Sequence, residues 1–158
     1  MPILALEADE PIARSTDPAR FFTYAGVTID VKATAGETGG AFSLIELTVP
    51  GLFPGAPLHY HKTFVESFYI VEGELATNLG DQSITARAGD VIHIPIGMLH
   101  GYRNKTNRPV RILVICTPGG FDSFFTELIA WMKLEPRWPP ADRSKLTSFG
   151  LEHDTFYV

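Results

Sequence analysis

From Phe21 onward, short apolar runs alternate with clusters of Gly, Pro, Asn and Asp, and within most runs every second residue is apolar. That is the period of a half-buried strand. The runs cover 22–31, 41–49, 58–61, 66–72, 82–86, 91–95, 100–104 and 110–116. Glu72-Gly73-Glu74, Asn78-Leu79-Gly80-Asp81 and Ala88-Gly89-Asp90 mark turns between them, with Gly73, Gly89 and Gly97 as the residues that accept positive φ. The first two runs read as consecutive antiparallel strands, and the series predicts an all-β sandwich or barrel. Past Thr117-Pro118-Gly119-Gly120 the period lengthens. Phe121, Phe124, Phe125, Leu128 and Met132 share one face of a predicted helix that ends before Pro136, with Glu127 on the other side. A second short helix is predicted over 141–149, stopping at Gly150 as a left-handed C-terminal residue. Both helices are expected to cap the barrel, their aromatic stripe serving as core. Residues 1–20, with turn signals at Asp9-Glu10-Pro11 and Thr16-Asp17-Pro18, read as an irregular arm. The expected organisation is one domain: arm 1–20, barrel 21–118, helical cap 119–158.

Composition narrows what such a barrel does. A length of 158 residues suits one core, and 14 Gly with 12 Pro fit many tight turns better than a helix bundle. A net charge of −5 without a basic stripe argues against a nucleic-acid partner, which needs clustered Lys and Arg. The opening MPILALEADEPIARS has no basic segment ahead of a long apolar one, and no run reaches the length of a membrane span. Cys116 is the single cysteine, so no internal disulfide is available and the cytoplasm is the expected compartment. The arm carrying Phe21 and Phe22 needs a surface to rest on, which makes a homodimer the expected assembly.

The candidate chemistry lies in the middle of the chain. His59 and His61 are two apart on a strand-like run, so both imidazoles leave the same face. Glu66 follows after four residues, room for a bend that returns a carboxylate beside them, and His100 comes later, just past the turn Ile94-Pro95-Ile96-Gly97. His59-Tyr60-His61, four residues, Glu66, six residues, Gly73 resembles the first signature motif of the cupins. Gly89, five residues, Pro95-Ile96-Gly97, two residues, His100, three residues, Asn104 resembles the second, with fifteen residues between the motifs. One position departs: where the first motif usually begins with Gly, this chain has Phe53, flanked by Gly51 and Gly55.

The resemblance implies a jelly-roll β-barrel over about residues 20–118. It also implies that His59, His61, Glu66 and His100 hold one divalent ion. Three imidazoles and a carboxylate suit Fe, Mn, Ni, Co, Cu or Zn better than Ca or Mg, and leave coordination positions for water, O₂ or substrate. Phe68 and Ile70 follow Glu66 with period two, and Tyr102 follows His100, so all three are expected to face a pocket beside the ion for a flat or aromatic small molecule. Single-domain length with a Gly-Gly-Phe-Asp-Ser-Phe-Phe stretch after the last strand resembles the quercetin-dioxygenase-like branch. The expected activity is a dioxygenase-type oxidation of an enolic or flavonol-like molecule, with Glu66 as ligand and proton acceptor. The alternatives are a non-redox isomerase or lyase of a small enol or keto acid, and a metal-stabilised binding protein without turnover. His93 matches no ligand position and is read as a satisfied or partly exposed histidine. His153 in Glu152-His153-Asp154 is read as solvated, Cys116 as a small buried hydrophobe, and Asn104 as a turn residue or a hydrogen-bonding partner behind the ligands.

Overall fold

The computed structural model describes residues 11–13, 15–135 and 140–158. Most of the arm expected over 1–20 lies outside them; its last turn, Pro18–Arg20, is a single 3₁₀ turn capped by the Asp17 carboxylate on the Ala19 N–H, 2.9 Å. Eleven strands follow in two antiparallel sheets. They are β1 (Phe21–Tyr24), β2 (Val27–Ala33), β3 (Ser43–Val49), β4 (His59–Tyr60), β5 (Val65–Glu72), β6 (Glu74–Leu79), β7 (Gln82–Arg87), β8 (Val91–Ile94), β9 (His100–Arg103), β10 (Val110–Thr117) and β11 (Phe156–Tyr157), with helices α1 (Asp122–Leu134) and α2 (Ser144–Glu152) before the last strand. The order β1-β2-β3-β10-β5-β8 forms one sheet and β11-β4-β9-β6-β7 the other, an arrangement that fits the jelly roll.

Alternation decides which side chains meet between the sheets. On β5, Glu66, Phe68 and Ile70 are buried while Tyr69 between them is exposed; on β10, Val110, Ile112, Val114 and Cys116 are buried and Arg111 is exposed. With Ile45 and Leu47 of β3 and Ile92 and Ile94 of β8 they form one apolar core, held by area removed from water. Cys116 is fully buried in it, and burial raises its thiol pKa well above the usual value, so it behaves as a small hydrophobe.

Four sequence expectations change. The run 22–31 is a hairpin, folded at Ala25 and Gly26, which both take positive φ and pair Tyr24 with Val27. Residues 74–79, of which Glu74 and Asn78-Leu79 read as turn punctuation and 75–77 fall in no predicted run, form β6, a strand bonded on both edges, to β7 and β9. Helix α2 runs past Gly150 to Glu152. Gly150 is there for proximity rather than for a left-handed backbone: a Cβ on it would lie 2.6 Å from Tyr157 Cε2 and 2.8 Å from the Thr155 carbonyl. The chain then returns along β4 as β11, Phe156 opposite Tyr60 and Tyr157 opposite His59, a strand the sequence pattern did not predict.

Candidate metal centre

β4 and β9 are neighbours, with His59 opposite His100, while β5 crosses the facing sheet. This topology brings together side chains from both sheets: His59 at the start of β4, His61 one residue past its end, His100 at the start of β9, and Glu66 on β5. One ligand atom from each lies within 4.8 Å of all the others. His61, Glu66 and His100 are buried and His59 is half-buried. Among the described residues they form the predicted set without omission.

Main-chain carbonyls fix the tautomers. Nδ1 of His59 lies 2.7 Å from the Pro57 carbonyl, Nδ1 of His61 2.8 Å from that of Asp154, and Nδ1 of His100 2.9 Å from that of Met98. A carbonyl can only accept, so Nδ1–H donates in each ring, and the neutral imidazole keeps its lone pair on Nε2. Nε2 of His100 and of His61 then face the same Glu66 oxygen, at 2.9 and 3.5 Å. Lone pairs opposed to a carboxylate repel unless a cation lies among them, either a proton or a metal ion. His61 Nε2 is buried with no hydrogen-bond partner. An orphaned nitrogen, three oriented imidazoles and a carboxylate fit a divalent transition metal, and carbonyls behind the rings are the usual means of aiming them.

The charges within the cluster are coupled. Burial alone would raise the Glu66 carboxyl, but the imidazoles of His100 and His61 outweigh it and bring Glu66 down to about 2. Burial lowers His100, yet the hydrogen bond and charge of Glu66 win and its pKa is raised. His59 is lowered to about 4, by burial first and by the charge on His100 second. Phe64 stacks on the His61 ring at a centroid distance of 4.2 Å and Phe121 meets it edge-on at 5.1 Å, the two phenyl rings themselves 5.0 Å apart, so one aromatic cluster packs against the imidazole.

The cluster forms part of the wall of a cavity of about 860 Å³. Phe68 and Tyr102 line it as expected; Ile70 does not, being fully buried in the core. The inward period holds, but two residues advance a strand by about 7 Å, which carries Ile70 into the filled part of the interior. Tyr102 is half-buried, and desolvation first and the Glu66 charge second raise its hydroxyl pKa, so it remains a donor. Phe53 stands in the loop after β3, stacked on Tyr102 at 6.1 Å, so the departure from the usual Gly supplies an aromatic wall. Phe121, Phe124 and Phe125 of the α1 segment and Leu146 of α2 also line it, so part of the helical stripe read as plain core faces the cavity.

Other positions are placed as follows. Asn104 is buried; it donates to the Pro50 and Arg108 carbonyls and accepts from Thr106, holding the 104–108 turn against the loop after β3 rather than touching a ligand. His93 is exposed and pairs with Ser67 Oγ at 3.0 Å. His153 is not solvated: its Nε2 lies 2.9 Å from the Glu127 carboxylate of α1 and its side chain is 8% exposed, enclosed by Phe124 and Phe149. Glu152 of the same polar segment is exposed as the pattern predicts; His153 is enclosed because α1 and α2 pack around it. The return along β4 brings in Asp154 and Tyr157, which sequence reasoning missed.

Residues 47–116 match the cupin domain family. The chain is 33% identical over 70 residues to quercetin 2,3-dioxygenase of Bacillus subtilis (strain 168), covering 44% of this chain and 20% of that protein. It is 31% identical over 93 residues to polyketide synthase CurC of Streptomyces cyaneus, covering 58% and 57%. Among solved structures, the polyketide cyclase RemF from Streptomyces resistomycificus superimposes with a TM-score of 0.52 at 25% identity, over 58% of this chain and 64% of that one. The chain thus spans less than two thirds of each of these proteins. No helix among the described residues is long and apolar enough to cross a membrane.

Proposed function

We propose that this protein is a metal-dependent cupin enzyme of the dioxygenase type, acting on an enolic, flavonol-like or other aromatic small molecule. The observation that carries the reading is the convergence of three Nε2 lone pairs and the Glu66 carboxylate on the wall of an aromatic-lined cavity of about 860 Å³. His59, His61, Glu66 and His100 hold the ion, which when bound supplies a Lewis acid for an enolate oxygen and, where redox-active, electrons for O₂. The chain's own groups do the rest. Phe53, Phe68 and Tyr102 form one aromatic wall against which a flat ring lies, and the Tyr102 hydroxyl donates to an oxygen on it. Glu66, ionised down to about pH 2, receives the proton of the substrate hydroxyl.

A second, non-redox reading has its own support: CurC and RemF, which each align with 58% of this chain, are named for polyketides, and 1,3-dicarbonyl chains present the same enolic oxygens. An oxygen electrode separates the two, with metal-loaded protein and a panel of flavonols, 1,3-diketones and linear enols. Oxygen uptake with ring or chain cleavage supports the dioxygenase. Turnover undiminished without oxygen supports a cyclase or isomerase, and binding without turnover makes the protein a ligand carrier. We also propose a cytoplasmic homodimer, for which light scattering at micromolar concentration must give twice the mass of one chain.

A further inference from the structure

We propose that Asp154 is a positioning residue of the metal centre, a clamp that aims His61 by binding it from behind. The inference rests on the reading that the four-residue cluster holds a metal. Asp154 acts with both its main chain and its side chain. Its carbonyl accepts from His61 Nδ1 at 2.8 Å, which fixes the ring's tautomer and turns Nε2 toward Glu66. Its carboxylate oxygen Oδ2 accepts three hydrogen bonds from the next two residues: Lys62 N–H at 2.9 Å, Thr63 N–H at 2.7 Å and Thr63 Oγ–H at 2.7 Å. The turn that leads from His61 to Phe64, the ring stacked on that imidazole, is thus tied to one carboxylate some ninety residues away in sequence.

Asp154 is the left-handed residue that closes α2: its φ is +53°, its N–H donates to the Leu151 carbonyl at 3.3 Å and the Thr155 N–H to the Gly150 carbonyl at 2.8 Å, so the cap of the helix sets where the Asp154 carbonyl and carboxylate point. The flanking residues hold that cap in place. His153 is anchored to α1 through Glu127, and Thr155, 2% exposed, donates from its N–H to the Gly150 carbonyl at 2.8 Å. Tyr157 then pairs with His59 across β11 and β4. Two of the three histidines are therefore held by the segment 153–157, and of its residues only Asp154 touches both a ligand ring and the turn that follows it.

Charge-assisted bonds to backbone N–H groups are the strong kind, and partners behind a metal ligand are typically worth 10–100-fold in metal affinity. The test uses the full chain, stripped with chelator and titrated with Co(II), whose visible absorption reports ligand geometry. Asp154→Gly removes the carboxylate half of the clamp, the three bonds to Lys62 and Thr63, without straining a positive φ, and leaves the main-chain carbonyl behind His61 in place. It is expected to bind Co(II) about 10–100-fold more weakly with shifted absorption bands. Asp154→Asn keeps an acceptor oxygen without the charge and is expected to fall between wild type and the glycine variant. A stability role alone would lower the melting temperature of the metal-free protein and leave the Co(II) bands in place, which overturns the proposal. So does Co(II) affinity within twofold of wild type in the glycine variant, or in the asparagine variant if the glycine one does not fold. A wild-type chain that binds no Co(II) overturns the metal reading itself and the clamp with it.

Discussion

Replacing Glu66 with glutamine keeps the side chain's size and one ligand oxygen but removes its capacity for a proton. If Glu66 only holds the ion, activity follows metal occupancy. If it also takes the substrate proton, turnover per bound metal falls by about two to four orders of magnitude, the usual cost of losing a general base. We expect the second result; turnover per metal within threefold of wild type on the substrate found by the panel would refute it. A second expectation concerns protons that compete for the ligands. The His100 pKa is raised by Glu66, so its Nε2 holds a proton to higher pH than an ordinary imidazole and metal must displace that proton, while His59, lowered to about 4, competes little. Affinity therefore falls as pH falls through the raised His100 value, by about tenfold per unit for the one proton displaced. Isothermal titration with Mn(II) between pH 6 and 8.5 measures this, and affinity that does not change with pH excludes His100 as a ligand. At this scale the ligands were legible because two spaced motifs carry them. Asp154 was not, because its role depends on a contact between residues far apart in sequence, and a short polar segment near the chain end carries no period that reveals burial.

Elements were legible where local pattern and tertiary pairing agree. The β5 and β10 alternation and the apolar stripe of α1 fall where the period puts them. β6 was hidden because Glu74, Ala76 and Asn78 are poor strand formers; pairing on both edges to β7 and β9 overrides that preference. β11 was hidden because two residues are too short for any period, and its register comes from β4. The end of α2 was misplaced for a related reason: glycine after an apolar residue looks like a C-terminal stop, whereas here it makes room for a strand. Gly150→Ala tests that explanation. Its Cβ would meet the Thr155 carbonyl, a backbone atom that cannot rotate away, so the tail must shift. The expected cost is about 1–3 kcal/mol, as for overpacking elsewhere. Urea denaturation measures it, and a change under 0.5 kcal/mol would restore the reading of Gly150 as a helix stop.

At the scale of the whole molecule, the candidate metal centre joins both sheets and the segment after α2 at one point. Glu66 belongs to the six-stranded sheet and His59 and His100 to the five-stranded one, while Asp154 and Tyr157 attach the segment after α2 to the same point. An ion bound there closes the barrel at one end and is bound only by the folded chain, since unfolding separates residues 59 and 100 and releases the carbonyls that orient the rings. Binding and folding are then linked. At a free metal concentration 100 times the dissociation constant, the folded state gains about 2.7 kcal/mol. For a domain of this size that raises Tm by about 5–10 °C. The stoichiometry should be one ion per chain, because one four-residue set is present among the described residues. The measurement is differential scanning calorimetry of protein stripped with chelator and reloaded separately with Fe, Mn, Co, Ni, Cu and Zn, alongside elemental analysis of each sample. A rise in Tm that saturates at one equivalent, and is abolished in the double variant His59→Ala/His100→Ala, is the expected outcome. No rise with any of the six metals would mean that the Glu66–imidazole cluster is held together by a shared proton, and that the cavity binds its ligand without a metal.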